Sequence, residues 1–266
     1  MLAWTTTTLR RPGDRLHAWR YSPGAVPPVG DLNNATDGDI FIAAALSRAA
    51  VLWRNDEYAD AAKAISHDSL VRLVRRSAGR LVLLPGASGF QGADGTVINP
   101  SYYAFPFLAG LARITPSSQW DELQADGLSF ITEGRFGEWM LPPDWLLLDR
   151  DGRLRLAPGW PPRFSFDAIR IPLWLVWSRR LQGVVYQAFH RFWTSRTVFG
   201  TPAWTNLITN DTASYPAPPG MQAVIRLTEA AETQTAPDFP PIQAATAYYD
   251  AALVLLSYLA SREIGA

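Results

Sequence analysis

One stretch near the start of the chain sets its organisation: residues 35–53, Ala-Thr-Asp-Gly-Asp-Ile-Phe-Ile-Ala-Ala-Ala-Leu-Ser-Arg-Ala-Ala-Val-Leu-Trp. Its alanine-rich part predicts a helix over residues 38–54, because alanine is the strongest helix former. Thr36 or Asp37 can cap this helix, since a short side chain with an oxygen accepts hydrogen bonds from first-turn amides. A carboxylate at a helix start is also stabilised by the helix dipole. Asp37 and Asp39 can therefore be capping residues or functional acids, and this stretch alone leaves both interpretations open.

The composition excludes several classes of protein. The chain has 266 residues, of which 48% are hydrophobic and 18% are charged, enough for a large buried core. The formal net charge is zero, so the charge excess expected for a partner such as nucleic acid or an anionic membrane is absent. There is no cysteine, and His17, His67 and His190 lack the spacing of metal ligands. We therefore expect no cofactor, no metal and no nucleic-acid partner.

The hydropathy pattern gives no membrane or export signal. Residues 1–11 lack the apolar segment that a signal peptide requires. No run along the chain reaches the roughly 18 apolar residues that predict a membrane span. We therefore expect no membrane span and no signal peptide in this sequence.

Helical periodicity recurs along most of the chain. Apolar residues at helical spacing predict seven further helices, over residues 57–78, 101–114, 117–131, 166–179, 182–196, 219–231 and 243–262. Strand signals are sparse and favour a short strand at 81–85 and a hairpin at 146–156. Successive helix pairs without a linker indicate one all-α domain over residues 1–266. Helical hairpins of this kind can close into a toroid, with long loops gathered at one end where function is usually carried.

Tryptophan is unusually frequent, with 11 residues. The indole ring is large, flat and amphipathic, so it serves in protein cores and also stacks on the apolar faces of sugar rings. Tryptophans beside carboxylates in loops therefore favour a carbohydrate site. Trp19, Trp139 and Trp145 are candidate sugar platforms, and each can equally be a core residue.

Seven short motifs follow one another along the chain. They are Leu16-His17-Ala18-Trp19, Ala35-Thr36-Asp37-Gly38-Asp39, Leu83-Leu84-Pro85-Gly86, Asn99-Pro100-Ser101-Tyr102, Pro143-Asp144-Trp145, Ser165-Phe166-Asp167-Ala168-Ile169-Arg170 and Ala247-Tyr248-Tyr249. Each motif alone is weak. Together and in this order they resemble glycoside hydrolase family 8, and within it the bacterial cellulases associated with cellulose synthesis.

The resemblance implies a fold and an activity. The fold is all-α, an (α/α)6 barrel of helical hairpins, in which this chain would be an N-terminally truncated catalytic domain without the first hairpin. The activity is endo-hydrolysis of β-1,4-glucan, such as cellulose or cello-oligosaccharides, with inversion at the anomeric carbon. A xylanase or chitosanase of the same family is the alternative. Family members are exported, which implies a periplasmic or secreted protein, and the cellulases imply an association with a cellulose synthase complex.

Inverting hydrolysis needs two carboxyl groups with different tasks. One is a protonated acid at the glycosidic oxygen, and the other is a base that activates water on the opposite face, about 6.5–9.5 Å away. By resemblance the base is Asp167, while Asp37 reaches the sugar at the cleavage point. Arg170 lies one helical turn beyond Asp167 and would keep it ionised, or would hold a sugar hydroxyl. Asp39 would be a cap or a residue that supports Asp37.

The resemblance also implies contacts with the substrate. Tyr102 matches a tyrosine that helps to place the water molecule. Phe166 replaces a tyrosine of the family, so a hydroxyl contact is lost while ring stacking can survive. Tyr248 belongs to the late Ala-Tyr-Tyr motif, and together with Trp19 and Trp145 it completes the expected substrate-binding set.

The family's general acid is missing from its expected place. In the family it is a glutamate in a Ser-Glu-Gly-x-x-Tyr-Gly motif that precedes the Leu16 segment, and here no glutamate occurs before Glu57. The Thr132-Glu133-Gly134 segment resembles that motif, but it lies where the family has a variable loop. Two explanations stay open. Either an N-terminal segment that carries the acid is lacking, or the protein is an accessory that binds glucan without cleaving it.

Overall fold

The computed structural model describes residues 1–195 and 197–265 of the protein. The chain divides into two compact units, and each is described by itself. Unit 1 comprises residues 1–129 and 147–155, and unit 2 comprises residues 130–146 and 156–266. The single domain expected over residues 1–266 stays a prediction.

Unit 1 is built on helices that pack around α2. Its helices are α1 (Leu2–Thr8), α2 (Thr36–Trp53), α3 (Asp56–Leu73), α4 (Phe105–Ile114) and the greater part of α5 (Gln119–Glu133). Helix α2 packs against both α3 and α4. The chain reverses between α2 and α3 within two residues. Arg54 adopts a left-handed conformation, and the Asn55 side chain caps α3 by accepting a 3.0 Å hydrogen bond from the Tyr58 amide.

Two small sheets lie largely in unit 1. Strand β1 (Val74–Ser77) pairs antiparallel with β2 (Arg80–Leu83). A four-stranded sheet has the order β3 (Gln91–Gly92), β4 (Gly95–Ile98), β5 (Leu146–Asp149) and β6 (Leu154–Leu156). The predicted hairpin at 146–156 is confirmed. Asp149 holds its turn, because Oδ1 accepts hydrogen bonds from the amides of Asp151 and Arg153 at 3.0 and 2.8 Å.

The helix predicted over residues 57–78 is wrong beyond Leu73. Helix α3 ends there, and Val74 begins β1. The Leu73 carbonyl accepts a 2.8 Å hydrogen bond from the Leu84 amide instead of continuing the helical pattern. A partner strand that is distant in sequence therefore overrides the local periodicity.

Unit 2 is built around α6 (Arg170–Trp177), in which every residue is buried. A helix that is apolar on nearly all sides belongs in an interior, and α6 packs against both α8 (Pro219–Thr233) and α9 (Tyr248–Ile264). Helix α7 (Gly183–Thr194) and the short strands β7 (Arg163–Phe164) and β8 (Thr205–Asn206) complete the unit. The helices predicted at 182–196, 219–231 and 243–262 are confirmed within a few residues. The helix predicted from residue 166 begins at Arg170, because residues 165–169 form turns.

Within residues 1–195 and 197–265, no helix is long and apolar enough to cross a membrane.

We predict opposite effects for two glycine-to-alanine substitutions in helices. In α5, a Cβ on Gly127 would lie 2.1 Å from the ring of the buried Tyr103, whereas a Cβ on Gly110 in α4 would meet no atom within 4 Å. Alanine is favoured over glycine in a helix by about 0.5–1 kcal/mol, while overpacking a core costs about 1–3 kcal/mol. Urea unfolding should therefore show Gly127→Ala destabilised by about 1–3 kcal/mol and Gly110→Ala slightly stabilised. Equal effects of the two substitutions would contradict this prediction.

Candidate active site

The start of α2 is organised by the buried carboxylate of Asp39, which is 1% exposed. Its Oδ1 accepts a 2.9 Å hydrogen bond from the His17 amide, and the His17 ring Nδ1 lies 2.8 Å from the same oxygen. Its Oδ2 accepts a 3.0 Å hydrogen bond from the Asn34 side chain. Burial raises the pKa of Asp39, while the bonds from His17 and Asn34 lower it. A carboxylate can be buried at tolerable cost only where such donors replace water.

This carboxylate joins three of the sequence motifs. His17 belongs to the Leu-His-Ala-Trp motif, and Asn34 directly precedes the Ala-Thr-Asp-Gly-Asp motif. The Asn34 Oδ1 in turn accepts a 2.8 Å hydrogen bond from the amide of Ala87, which follows the Leu-Leu-Pro-Gly motif. Segments that are separate in sequence therefore share one network of buried hydrogen bonds.

Thr36 and Asp37 do not cap α2, and that expectation is wrong. The capping position is Ala35, which makes no side-chain hydrogen bond. The Thr36 hydroxyl donates to the Leu84 carbonyl at 2.6 Å, and the Thr36 amide donates to the Pro85 carbonyl at 2.9 Å. The Thr36 hydroxyl, which could have capped the helix, is instead bonded to the Leu-Leu-Pro-Gly motif. The Thr36 amide finds its acceptor in the same motif.

Asp37 lies in the first turn of α2 and is half-buried. Its Oδ1 accepts a 2.9 Å hydrogen bond from the Gly38 amide. Residues two apart in a helix do not face each other, so Asp37 points away from the side that holds Asp39. The buried network around Asp39 therefore fixes the direction in which Asp37 is presented.

Trp19 is 51% exposed, and its orientation is fixed by polar contacts. The indole Nε1 donates a 2.8 Å hydrogen bond to the carboxylate of Asp31, and the Arg20 guanidinium lies 5.7 Å from the ring centroid. The Asn33 amide and the Trp19 indole, in that order, lower the pKa of Asp31. An exposed and oriented indole suits the expected role of Trp19 as a sugar platform.

Tyr102 closes a short 3-10 turn, Pro100–Tyr102, and is half-buried. The turn is fixed by the buried Asn99, whose Oδ1 accepts hydrogen bonds from the amide and the hydroxyl of Ser101 at 3.0 and 2.7 Å. The Asn-Pro-Ser-Tyr motif thus has a local structural cause, since Asn99 and Ser101 set the backbone that presents the tyrosine.

In unit 2, Asp167 lies in the turn that leads into α6 and pairs with Arg170. The Arg170 Nη2 donates a 2.7 Å hydrogen bond to Asp167 Oδ1, and the side chains are 8% and 32% exposed, respectively. A guanidinium stays protonated and favours the ionised form of a neighbouring carboxylate. Arg170 therefore favours the ionised form of Asp167, which is partly open to solvent, and a general base requires both properties.

Asp144 is a second carboxylate near Asp167, and it was not singled out as a site residue from the sequence. Asp144 is 6% exposed, and its Oδ1 accepts hydrogen bonds from the amides of Ser165 and Ala168 at 2.9 and 2.8 Å. Its Oδ2 accepts a hydrogen bond from the Ser165 hydroxyl. Burial and, second, the charge of Asp167 raise the pKa of Asp144 to about 6, against the effect of these hydrogen bonds. The Pro-Asp-Trp motif signalled this position, but nothing in the motif shows that its carboxylate is buried.

The tryptophans of unit 2 differ in their surroundings. Trp145 stacks on Trp160 with ring centroids 3.8 Å apart and an interplanar angle of 20°. Trp160, which the sequence did not single out, is 38% exposed. Trp139 packs edge-on against the buried Phe192 at 5.3 Å. Trp145 is therefore half of a stacked pair, while Trp139 is half-buried and contacts a core residue.

The aromatic residues of the last two motifs meet through Tyr249. The Tyr249 hydroxyl donates to the Phe166 carbonyl, and the two rings lie edge to face at 6.4 Å. Phe166 is 43% exposed and Tyr248 is 91% exposed. Of the two adjacent tyrosines, Tyr249 supports the Asp167 segment, and the expected contact of Tyr248 with substrate stays a prediction.

The structure also shows where Glu133 lies and how the possible metal ligands are distributed. Glu133 is an exposed residue at the end of α5. Within residues 1–195 and 197–265, no three His, Asp or Glu side chains come together as a metal site would require.

Comparison with known proteins places this arrangement in a family. The model of the glycosyl hydrolases family 8 matches residues 1–263. The chain is 42% identical to a probable endoglucanase of Novacetimonas hansenii over 99% of its own length and 76% of that protein. It is also 42% identical to an endoglucanase of Cellulomonas uda, over 85% of this chain and 62% of that protein. The endo-β-1,4-glucanase structure from Acetobacter xylinum superimposes with a TM-score of 0.92 at 41% identity, over 100% of this chain and 83% of that one.

The chain belongs to glycosyl hydrolase family 8, and it is a glycoside hydrolase. The endoglucanase structure from Komagataeibacter sucrofermentans gives a similar result, with a TM-score of 0.91 and 40% identity over 100% of this chain and 82% of that one. These likenesses confirm the expected all-α (α/α)6 fold class. The roles of the individual site residues stay predictions.

We predict that Asp39→Ala strongly destabilises the protein. The substitution leaves the donors of His17 and Asn34 buried without their acceptor, and each buried donor left unsatisfied costs about 1–3 kcal/mol. Urea unfolding measures this cost. Asp60→Ala is the matched control, because Asp60 is an exposed acid on α3 whose loss should change stability by less than about 0.5 kcal/mol. A cost for Asp39→Ala below about 1 kcal/mol would show that the network is not structural.

We predict that Asp144 makes the protein less stable as the pH rises. Its pKa is raised from 3.8 to about 6 in the folded protein, so folding favours its neutral form. This contribution is fully present below pH 4 and is lost as the pH rises through about 6, with a total on the order of 3 kcal/mol. Urea unfolding at several pH values should show this decline for the wild type, and Asp144→Asn should lack that part of it. Parallel profiles for the two proteins would contradict the prediction.

Proposed function

We propose that this protein is an inverting endo-β-1,4-glucanase that hydrolyses cellulose-type glucan, with Asp167 as its general base. The observation that carries the proposal is the Asp167–Arg170 pair. The carboxylate is 32% exposed and lies 2.7 Å from a buried guanidinium, so it can stay ionised and still meet a water molecule. The similarity to endoglucanases over nearly the whole chain supports β-1,4-glucan as the substrate class.

In the proposed reaction, Asp167 takes a proton from a water molecule whose oxygen forms the new bond to the anomeric carbon. The glycosidic bond breaks on the opposite face, and the departing oxygen takes a proton from a general acid, for which the family resemblance implies a glutamate of the Ser-Glu-Gly-x-x-Tyr-Gly motif. Asp37 contacts the sugar at the cleavage point, and Tyr102 helps to place the water. Arg170 keeps Asp167 ionised until the proton is transferred.

Aromatic side chains supply the proposed contacts with the sugar rings. Trp19, Phe166 and Tyr248 are all more than a third exposed, so their faces can stack on pyranose rings. Trp145 contributes through its stacked partner Trp160, whose own ring is 38% exposed.

A second candidate function is glucan binding without cleavage. The exposed aromatic side chains of Trp19, Phe166 and Tyr248 would be sufficient for stacking on sugar rings without any cleavage. A xylanase or chitosanase activity is distinguished by the substrate, since the same base would act on a different sugar.

The setting of the activity is also part of the proposal. Cellulose-type glucan is met outside the cytoplasm, so we place the protein in the periplasm or outside the cell. We also propose a functional association with a cellulose synthase complex, which is supported by the similarity of the motif set to cellulases associated with cellulose synthesis. Co-purification of the synthase with the tagged protein tests it, and failure to recover the synthase would count against it.

We predict that the protein releases reducing ends from carboxymethyl cellulose. Asp167→Asn should lower kcat by about 100-fold or more, because general base catalysis contributes about 10²–10⁴-fold. Nuclear magnetic resonance of the first product should show the α-anomer, as inversion requires. Asp151→Asn is the control, because Asp151 is an exposed acid in the β5–β6 turn.

The outcomes separate the candidates. Cello-oligosaccharide binding in calorimetry without cleavage would favour the second function, and cleavage of xylan or chitosan alone would change the substrate. Full activity of Asp167→Asn would show that Asp167 is not the general base.

A further inference from the structure

Asp144 holds the segment on which the base lies. Its carboxylate accepts from the Ser165 and Ala168 amides at 2.9 and 2.8 Å and from the Ser165 hydroxyl. Its own amide donates a 2.7 Å hydrogen bond to the Arg163 carbonyl. One buried side chain therefore contacts the backbone on both sides of Asp167.

We propose that Asp144 is a positioning residue for the base: its hydrogen bonds fix the turn that presents Asp167, and its charge tunes the basicity of Asp167. This inference rests on the proposed function, in which Asp167 takes a proton from water. The positioning role follows from the contacts that the buried Asp144 carboxylate makes on both sides of Asp167.

The positioning part follows from the geometry of the turn. Ser165 and Ala168 are three residues apart, and the same oxygen of Asp144 accepts from both amides. The Ile169 amide also donates to the Ser165 carbonyl at 2.9 Å, and the Arg170 amide donates to the Asp167 carbonyl at 3.1 Å. The backbone of Asp167 is thus held on both sides. A reacting group must be kept within about 0.5 Å of its productive position.

The electrostatic part follows from the charges that face Asp144. Asp167 is the charged group whose field acts on it, and Asp167 itself is paired with the buried Arg170. The Arg163 guanidinium lies over the Trp204 ring at 4.1 Å, and from α9 the Tyr249 hydroxyl faces the segment as a neutral donor. Like charges oppose each other's ionisation. An ionised Asp144 must therefore increase the affinity of Asp167 for a proton, while Arg170 decreases it.

The pH range of this effect is set by Asp144. Burial and the charge of Asp167 raise the pKa of Asp144 to about 6. Below this pH Asp144 is neutral, and the positive charge of Arg170 lowers the proton affinity of Asp167 without opposition from Asp144. Above it the second negative charge makes Asp167 a stronger base. The two carboxylates therefore titrate as a coupled pair.

Asp144→Asn separates charge from shape. The asparagine oxygen can still accept from both amides, and its NH₂ group can donate to the Ser165 hydroxyl oxygen, so the turn keeps its hydrogen bonds. Carbon-13 nuclear magnetic resonance of the aspartate carboxyl groups, recorded from pH 3 to pH 8, follows Asp167 directly. We expect its proton affinity at neutral pH to fall about tenfold in Asp144→Asn.

Ser165→Ala is the matched variant that keeps the charge. It removes one hydrogen bond that stabilises ionised Asp144, so the upper titration step should move to higher pH while the coupling to Asp167 remains. On cello-oligosaccharides at pH 7, Asp144→Asn should lower kcat about 3- to 10-fold with an unchanged KM, since a weaker base slows proton transfer.

The titration decides the inference even if the protein binds glucan without cleaving it. Identical Asp167 titration curves for the wild type and Asp144→Asn would overturn it. If Asp167→Asn instead cleaves as well as the wild type, the base assignment fails, and that result is distinct from an unchanged titration curve.

Discussion

A carboxylate can lie in a protein interior only where hydrogen-bond donors take the place of water, and each unit of this protein meets that constraint at the loops that carry its candidate site. In unit 1, Asp39 is surrounded by His17 and Asn34. In unit 2, Asp144 is surrounded by Ser165 and Ala168. Asn34 is close to Asp39 in sequence, but His17, Ser165 and Ala168 lie 21 or more residues from the carboxyl groups that they contact, so the shape of the loops depends on these buried groups.

Each buried carboxylate lies close to an accessible one. Asp37 precedes Asp39 by two residues in the first turn of α2, and therefore points away from the buried network. Asp167 lies between the two residues whose amides bind Asp144. A side chain on an irregular segment is usually placed less accurately than one on a regular helix or strand. Asp167 lies in the turns before α6, and its buried neighbour Asp144 holds those turns while Asp167 itself stays partly open to water.

The sequence predicted those features of the fold and the candidate site that depend on residues close together in the chain. Helical periodicity located most helices, and the order of the motifs identified Asp167 and Arg170, which the structure brings together. It failed where distant segments decide the outcome: α3 ends at Leu73, whose carbonyl accepts a hydrogen bond from the Leu84 amide, and the Thr36 hydroxyl donates to the Leu84 carbonyl instead of capping α2. The burial of Asp144 and the stacking of Trp160 on Trp145 were missed for the same reason, since both are properties of tertiary contacts.

The strength of the candidate base results from two opposing neighbours. Arg170 is almost fully buried and cannot give up its proton, so an ionised Asp167 is needed to offset its charge. Arg170 alone would make Asp167 a weak base, one that holds a proton from water too loosely. The charge of Asp144 acts in the opposite direction and does so only when it is ionised, above about pH 6. If Asp167 is the base, Arg170 and Asp144 together set how strongly it holds a proton, and the loss of either changes its strength.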